Sequence, residues 1–131
     1  MDNISIDQFQ QVDIRIGTVV EAEVPEWSHW VIKLSVDFGE EIGIRTIFAG
    51  MMKFYKPTEF EGKQFPFVVN IKPKKIGPEG DMSQGMMLAA DHITDKNKPE
   101  EGIPILFKLG KKVLNGTRVR WACYNTVCEE K

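Results

Sequence analysis

Apolar residues fall at alternate positions in several separate stretches of the chain: Val12, Ile14 and Ile16; Trp30, Ile32, Leu34, Val36 and Phe38; Ile42, Ile44, Thr46 and Phe48; Phe65, Phe67, Val69 and Ile71. A period of two predicts strands that bury one face and leave the other in solvent. The first strand runs on toward Val24, and Gly17 within it marks a bend or bulge of the kind that lets a strand curl around a small barrel. The turn residues Phe38-Gly39-Glu40-Glu41 join the second and third strands as a hairpin. Pro66 donates no ladder hydrogen bond and belongs at an edge or near a strand start. Met86 to His92 is a fifth strand, with weaker ones around Ile105 and from Arg118 to Tyr124.

Other signals place the remaining elements. Ser5 followed by Gln8 has the spacing of a capping box and predicts a short helix over Ile6 to Gln10. Lys56, Pro57 and Thr58 open a single helical turn that ends by Gly62. The polar, breaker-rich stretch "TDKNKPEEGIP" reads as a joint between the barrel and a C-terminal extension. Short strands, regular turn signals and one capped helix together predict a mainly all-β fold, a small antiparallel barrel. The 131 residues suffice for one domain, with the barrel at about 9–92 and the extension at about 94–131.

Composition narrows the function. The chain is 42% hydrophobic and 27% charged, as in an ordinary water-soluble protein. No apolar run approaches the roughly 20 residues of a bilayer span, and the N-terminus has neither a basic start nor an apolar stretch, so no membrane role and a cytoplasmic location are expected. Cys123 and Cys128 lack a matching pair or a nearby histidine, and His29 and His92 have no ligand spacing around them, so neither a metal nor another cofactor is expected. Neither histidine sits as a general base beside a nucleophile, and no glycine-rich phosphate cradle is present. The chain is not expected to be an enzyme. Its net charge of −2 argues against indiscriminate nucleic-acid binding, which depends on neutralising many phosphates.

One stretch runs against that acidic balance. In "NIKPKKIGPEGDMSQGMMLAAD", residues 70–91, Lys72, Lys74 and Lys75 follow directly on a predicted strand, and Pro73 stiffens the chain that carries them. Lysines held in place lose less entropy on meeting phosphate than lysines on a flexible tail. By charge alone a solvated lysine turn is the better explanation, and a more specific signal is needed. Ser83, Gln84 and Gly85 add short polar groups and a pliant backbone before Met86, a combination suited to sugar or base contacts beside the lysines and to stacking on unpaired bases. Single-stranded or looped RNA is the ligand such a rim would take.

"VDIRIGTVVEAE" (12–23), "VDFGEE" (36–41), "AGMMKFYKPTEFEGK" (49–63), "VVNIKPKKIG" (68–77) and "SQGMMLAAD" (83–91) occur in this order. Together they resemble successive blocks of the tRNA-binding domain family, which includes the stand-alone bacterial tRNA-binding protein, the C-terminal domain of methionyl-tRNA synthetases, the endothelial monocyte-activating polypeptide and the CsaA export chaperones. The resemblance implies a five-stranded OB-fold that recognises tRNA shape, and a homodimer in stand-alone members, with the segment beyond the barrel helping to form the interface. It places Asn70, Lys72, Lys74, Lys75, Ser83, Gln84 and Met86 on the RNA-facing motif, with Arg45 on the neighbouring strand. Asp13, Arg15 and Gly17 match a first-strand motif of structural character. Two other roles stay open: an export-chaperone or assembly module whose partner is an unfolded-protein client, suggested by "IKLSVDFGEEIGIR", and a non-catalytic tRNA-binding subunit working with an aminoacyl-tRNA synthetase.

Overall fold

The computed structural model describes residues 1–121. The capping box closes as the spacing predicts: Ser5 Oγ accepts from Gln8 N at 3.1 Å and Gln8 Oε1 accepts from Ser5 N at 2.8 Å, starting helix α1 over Ile6–Gln10. Ten strands follow: β1 (Ile14–Glu23), β2 (Ile32–Asp37), β3 (Ile44–Ala49), β4 (Gln64–Val68), β5 (Lys74–Ile76), β6 (Asp81–Ser83), β7 (Met86–Met87), β8 (Ala89–His92), β9 (Ile103–Leu106) and β10 (Arg118–Val119). A short 3-10 turn over Pro57–Glu59 precedes Gly62, where the sequence places one.

The main sheet runs β3-β2-β1-β4-β7, and β10 adds to β1. Strand β1 carries the curvature, because its first half pairs with β4 and its second half with β2. The bulge lies between Val19 and Glu21 rather than at Gly17. Gly17 serves close packing instead: a Cβ there would lie 2.8 Å from the Phe38 ring. The result is a nearly closed five-strand antiparallel barrel with a short N-terminal helix, as the alternating pattern predicts.

The barrel interior holds Phe38, Phe60, Phe65 and Phe67 with Val19, Ile32, Leu34, Val36 and Ile47, all sealed from solvent. Each such phenylalanine contributes about 2 kcal/mol of burial, which makes this the main stabilising group. Phe38 and Phe67 meet edge to face at 5.4 Å. Pro66 lies near the start of β4, and its carbonyl accepts from Leu88 N at 3.1 Å where β7 has ended, so its missing donor breaks no ladder bond.

Some expected elements differ. In β3 the inward residue is Ile47, while Ile44 is 65% exposed, since the strand's first residue hangs past the barrel end. Trp30 precedes β2 and is half exposed instead of sharing its buried face. The expected strand from Met86 to His92 splits at Leu88: β7 pairs with β4, and β8 turns away to pair with β9. The polar stretch after His92 is thus the connection of a β8–β9 hairpin, with Tyr55 Oη donating to Pro104 O at 2.7 Å to hold β9 against the barrel. Of the strand expected from Arg118 to Tyr124, Arg118–Val119 is present; the remainder beyond 121 and both cysteines lie outside the described residues.

Candidate nucleic-acid interface

The lysine stretch forms a β-hairpin, not a loop. Lys74 pairs with Ser83, Lys75 with Met82 and Ile76 with Asp81, and Gly77 and Gly80 turn the chain with φ of 76° and 80°. Directly opposed residues share a face of the hairpin. One face therefore carries Lys74, Ile76, Asp81 and Ser83, the other Lys75 and Met82. Ser83 is buried against the barrel at one end of its face, Lys75 and Met82 point outward, and Lys74, opposite Ser83, is exposed as well. Lys72 is exposed on the approach to β5.

Three links fix this hairpin to the outside of β2 and β3. Ser83 Oγ accepts from Phe48 N at 3.0 Å and donates to Gly85 O at 3.1 Å. Gln84 N donates to Thr46 O at 2.8 Å, and Gln84 Oε1 accepts from Thr46 N at 3.0 Å, so one residue satisfies both backbone groups of Thr46. Lys33 Nζ lies 3.9 Å from Asp81 Oδ2. Ser83 and Gln84 thus supply the hydrogen bonds that close β3 onto the far side of the barrel, where the strand edges would otherwise stay unpaired. Ser83 makes its bonds at close range and is among the few buried polar residues, whereas Gln84 reaches Thr46 from the exposed side.

Asn70 and Arg45 work at the same end of the barrel. Asn70 Oδ1 accepts from Asp13 N at 2.8 Å and its Nδ2 donates to Gln11 O at 2.6 Å, which ties the segment after α1 to the end of β4. Arg45 faces inward opposite Val36, and its Nη1 donates to Val69 O at 2.6 Å and Gln84 O at 3.3 Å. Its charge is presented at the mouth between β3, β4 and β7. Met86 is 50% exposed on β7 while its neighbour Met87 is buried, so the surface methionine lies beside that mouth. The structure therefore gathers all eight residues singled out by the sequence around the β5–β6 hairpin and the strand ends next to it. Lys72, Lys74, Lys75 and Met86 present free surface there, and Asn70, Arg45, Ser83 and Gln84 are also bonded within the chain.

Sequence reasoning missed the aromatic support under the hairpin. The Trp27 ring packs against Gly77, where any Cβ would collide with it, and lies 6.2 Å from the Phe48 ring. Trp30 meets Trp27 edge on at 5.9 Å. The signal was the "EWSHW" sequence itself, whose serine is a loop-forming residue between two large rings.

At the opposite side of β1, Arg15 donates to Asp13 Oδ1 at 2.7 Å, Glu41 Oε1 at 2.8 Å and Gly116 O at 3.1 Å. The bond to Asp13 raises the guanidinium pKa above its ordinary value; burial opposes this and Glu41 adds to it. With Gly17 packed under Phe38, this motif has the structural character expected of it. Among the described residues no cluster has the geometry of a metal site, and no helix is long and apolar enough to cross a membrane.

Comparison with known proteins agrees with this geometry. The family profile described as "Putative tRNA binding domain" matches residues 14–117. A methionine–tRNA ligase of Methanothrix thermoacetophila is 45% identical over 103 residues, covering 77% of this chain and 15% of the ligase. The corresponding enzyme of Archaeoglobus fulgidus is 41% identical over 118 residues, or 90% of this chain and 16% of the ligase. The chain thus spans about a sixth of the length of these relatives. Among solved structures, the MetRS-related protein of Pyrococcus horikoshii superposes with a TM-score of 0.79 at 38% identity, covering 92% of this chain and all of that one. The chaperone CsaA of Bacillus anthracis gives 0.74 at 28% identity, covering 91% and 100%. The chain belongs to the tRNA-binding domain family, whose profile spans the barrel.

Proposed function

We propose that the chain grips tRNA on the rim formed by the β5–β6 hairpin, with Lys72, Lys74 and Lys75 on phosphates and Gln84, Met86 and Arg45 on the sugars or bases beside them. Asn70 and Ser83 hold that rim in place through their bonds within the chain, and the exposed Asn70 keeps further polar capacity for the ligand. The observation that carries the reading is the lysine hairpin itself: exposed cations on a strand pair fixed to the barrel by Ser83, Gln84 and Trp27. Such cations are oriented before the ligand arrives.

The protein works as a homodimer in the cytoplasm. Support for the dimer comes from Ile4, Ile6 and Phe9, which are 65%, 54% and 40% exposed and line an apolar pocket of about 280 Å³ with Trp121. This joins the N-terminal helix to Trp121 in one surface. The likeness to methionine–tRNA ligases supports an aminoacyl-tRNA synthetase as a partner, with this chain as the tRNA-holding part. The likeness to CsaA favours one second reading, a chaperone-like module with an unfolded-protein client.

The test is tRNA binding measured across a salt series. Replacing Lys72, Lys74 and Lys75 together with alanine is expected to weaken binding and to reduce the slope of log affinity against log salt by about two, because each lost phosphate contact removes a fraction of a counterion. Unchanged affinity and slope overturn the site; absence of binding by the unaltered chain overturns the function. Suppression of client aggregation without tRNA binding favours the second reading.

A further inference from the structure

We infer that Trp30 is a stacking platform for one unpaired RNA base, a role that rests on the tRNA-binding reading and adds a second kind of contact to the lysine rim. A single exposed aromatic residue is ordinary on a protein surface. Trp30 differs in being exposed and tightly held at once. It is 50% exposed, yet its backbone N donates to Ser28 Oγ at 3.2 Å and its carbonyl accepts from Met52 N at 3.3 Å. Ser28, itself 4% exposed, also accepts from Val31 N at 2.9 Å and donates to Val31 O at 3.1 Å, so one buried hydroxyl sets the turn that presents the ring.

The ring is supported as well as the backbone. Trp27 meets it edge on, and Trp27 is in turn packed on Phe48 and on Gly77, the turn glycine of the lysine hairpin. The platform and the phosphate-binding rim are therefore parts of one packed unit. Lys33, two residues into the following strand pair, is bridged to Asp81 of the hairpin and balances its charge, leaving Lys74 and Lys75 for the ligand. A ring already fixed loses little entropy when a base lands on it, and an indole face accepts any base. That suits the unstacked bases of tRNA loops, which proteins capture on aromatic rings. A protein client is the less fitting occupant, because one indole beside a row of lysines is far from the roughly 800 Å² per partner that a stable protein interface buries.

The experiment uses the full chain labelled with 5-fluorotryptophan, in which the Trp30 resonance is assigned by its loss in Trp30→Phe. Short oligoadenylate and then tRNA are added. The expected result is a shift of the Trp30 resonance with both ligands. Trp30→Ala is expected to bind tRNA about tenfold more weakly, with Trp30→Phe restoring much of the loss, and with the salt slope unaltered because stacking releases no counterions. Circular dichroism of both variants establishes that the barrel is intact. An unmoved Trp30 resonance, or equal tRNA affinity of Trp30→Ala and the unaltered chain, overturns the inference while the tRNA-binding reading stands. Loss of client protection in Trp30→Ala with RNA affinity unchanged also overturns it. If the unaltered chain binds neither RNA, the function itself falls and this inference with it.

Discussion

The indole of Trp27 fills the space that a side chain at position 77 would need: a Cβ on Gly77 would lie 2.7 Å from ring carbon Cζ3, with other ring atoms closer still. Two requirements therefore meet at one residue. Gly77 must have φ of 76° to turn the lysine hairpin, and it must be bare to let the ring beneath it support that hairpin.

Gly77→Ala is accordingly expected to destabilise the fold by about 1–3 kcal/mol through backbone strain alone, with the displaced Trp27 ring adding to it. The loss in tRNA affinity should exceed what partial unfolding explains, because the lysines shift with the turn. Chemical denaturation beside tRNA binding at a temperature where both chains are folded checks this. Gly80→Ala makes the control: its φ of 80° carries similar strain, but its nearest neighbour is the end of the Lys75 side chain at 3.7 Å.

Ser83 closes the barrel, and its removal should read as a stability effect. Ser83→Ala leaves Phe48 N without its partner in a buried position, an omission that costs about 1–3 kcal/mol. Gln84→Ala removes only the side-chain half of its link to Thr46, since the bond from Gln84 N to Thr46 O remains, and about 1 kcal/mol is expected. Urea denaturation of the two variants should preserve this order; the reverse order would remove Ser83 from its place as the principal closing residue.

The pattern of alternating residues was enough to read the helix, the β2–β3 hairpin and most of the core, because strand faces and capping boxes are set by neighbours a few residues apart. The phase of β3 was harder. Ile44 looks like a core residue in isolation, but the strand's start overhangs the barrel, and Ile47 supplies the burial instead, while Ile42 before the strand packs against the core as expected. The site was legible as composition and not as architecture. Lysines and polar residues around 70–86 stand out in the sequence, whereas the bonds of Ser83 to Phe48 and Gln84 to Thr46 span 35 and 38 residues. Contacts at that separation depend on how the barrel closes, which no local spacing encodes. The pairing of Lys74 with Ser83 likewise makes sense only once Trp27 is beneath the turn.

Arg15 holds the start of β1, the β2–β3 turn and the C-terminal extension together through Asp13, Glu41 and Gly116. Arg15→Gln should destabilise by about 1–2 kcal/mol, mostly from Asp13, since Glu41 is solvated and screened. The sign of the pH effect follows from the raised folded-state pKa: the charged Arg15 stabilises fully below the unfolded arginine value, and the contribution is lost as pH rises through the still higher folded value. Both lie far above the range in which proteins are ordinarily handled. The stability gap between the unaltered chain and Arg15→Gln should thus stay level from pH 7 to 10 in parallel urea titrations. A gap that shrinks over that interval would mean that another titrating group supplies the difference.

The apolar surface of α1 provides the test of assembly. Among the described residues nothing buries Ile4, Ile6 and Phe9 in proportion to their size, and a five-residue helix with one polar cap has too few backbone bonds to hold them in water unaided. A second copy covering this surface removes that exposure. Phe9→Glu is expected to convert the proposed dimer to monomer in sedimentation equilibrium without altering the barrel, because Phe9 lies outside the core. Affinity for tRNA should then fall as well, since two rims joined in one particle bind a single tRNA with the advantage of linkage and separate rims do not. A chain that sediments as a monomer before the substitution would assign this surface to a different partner. A dimer that persists in Phe9→Glu would place the contact elsewhere on the molecule.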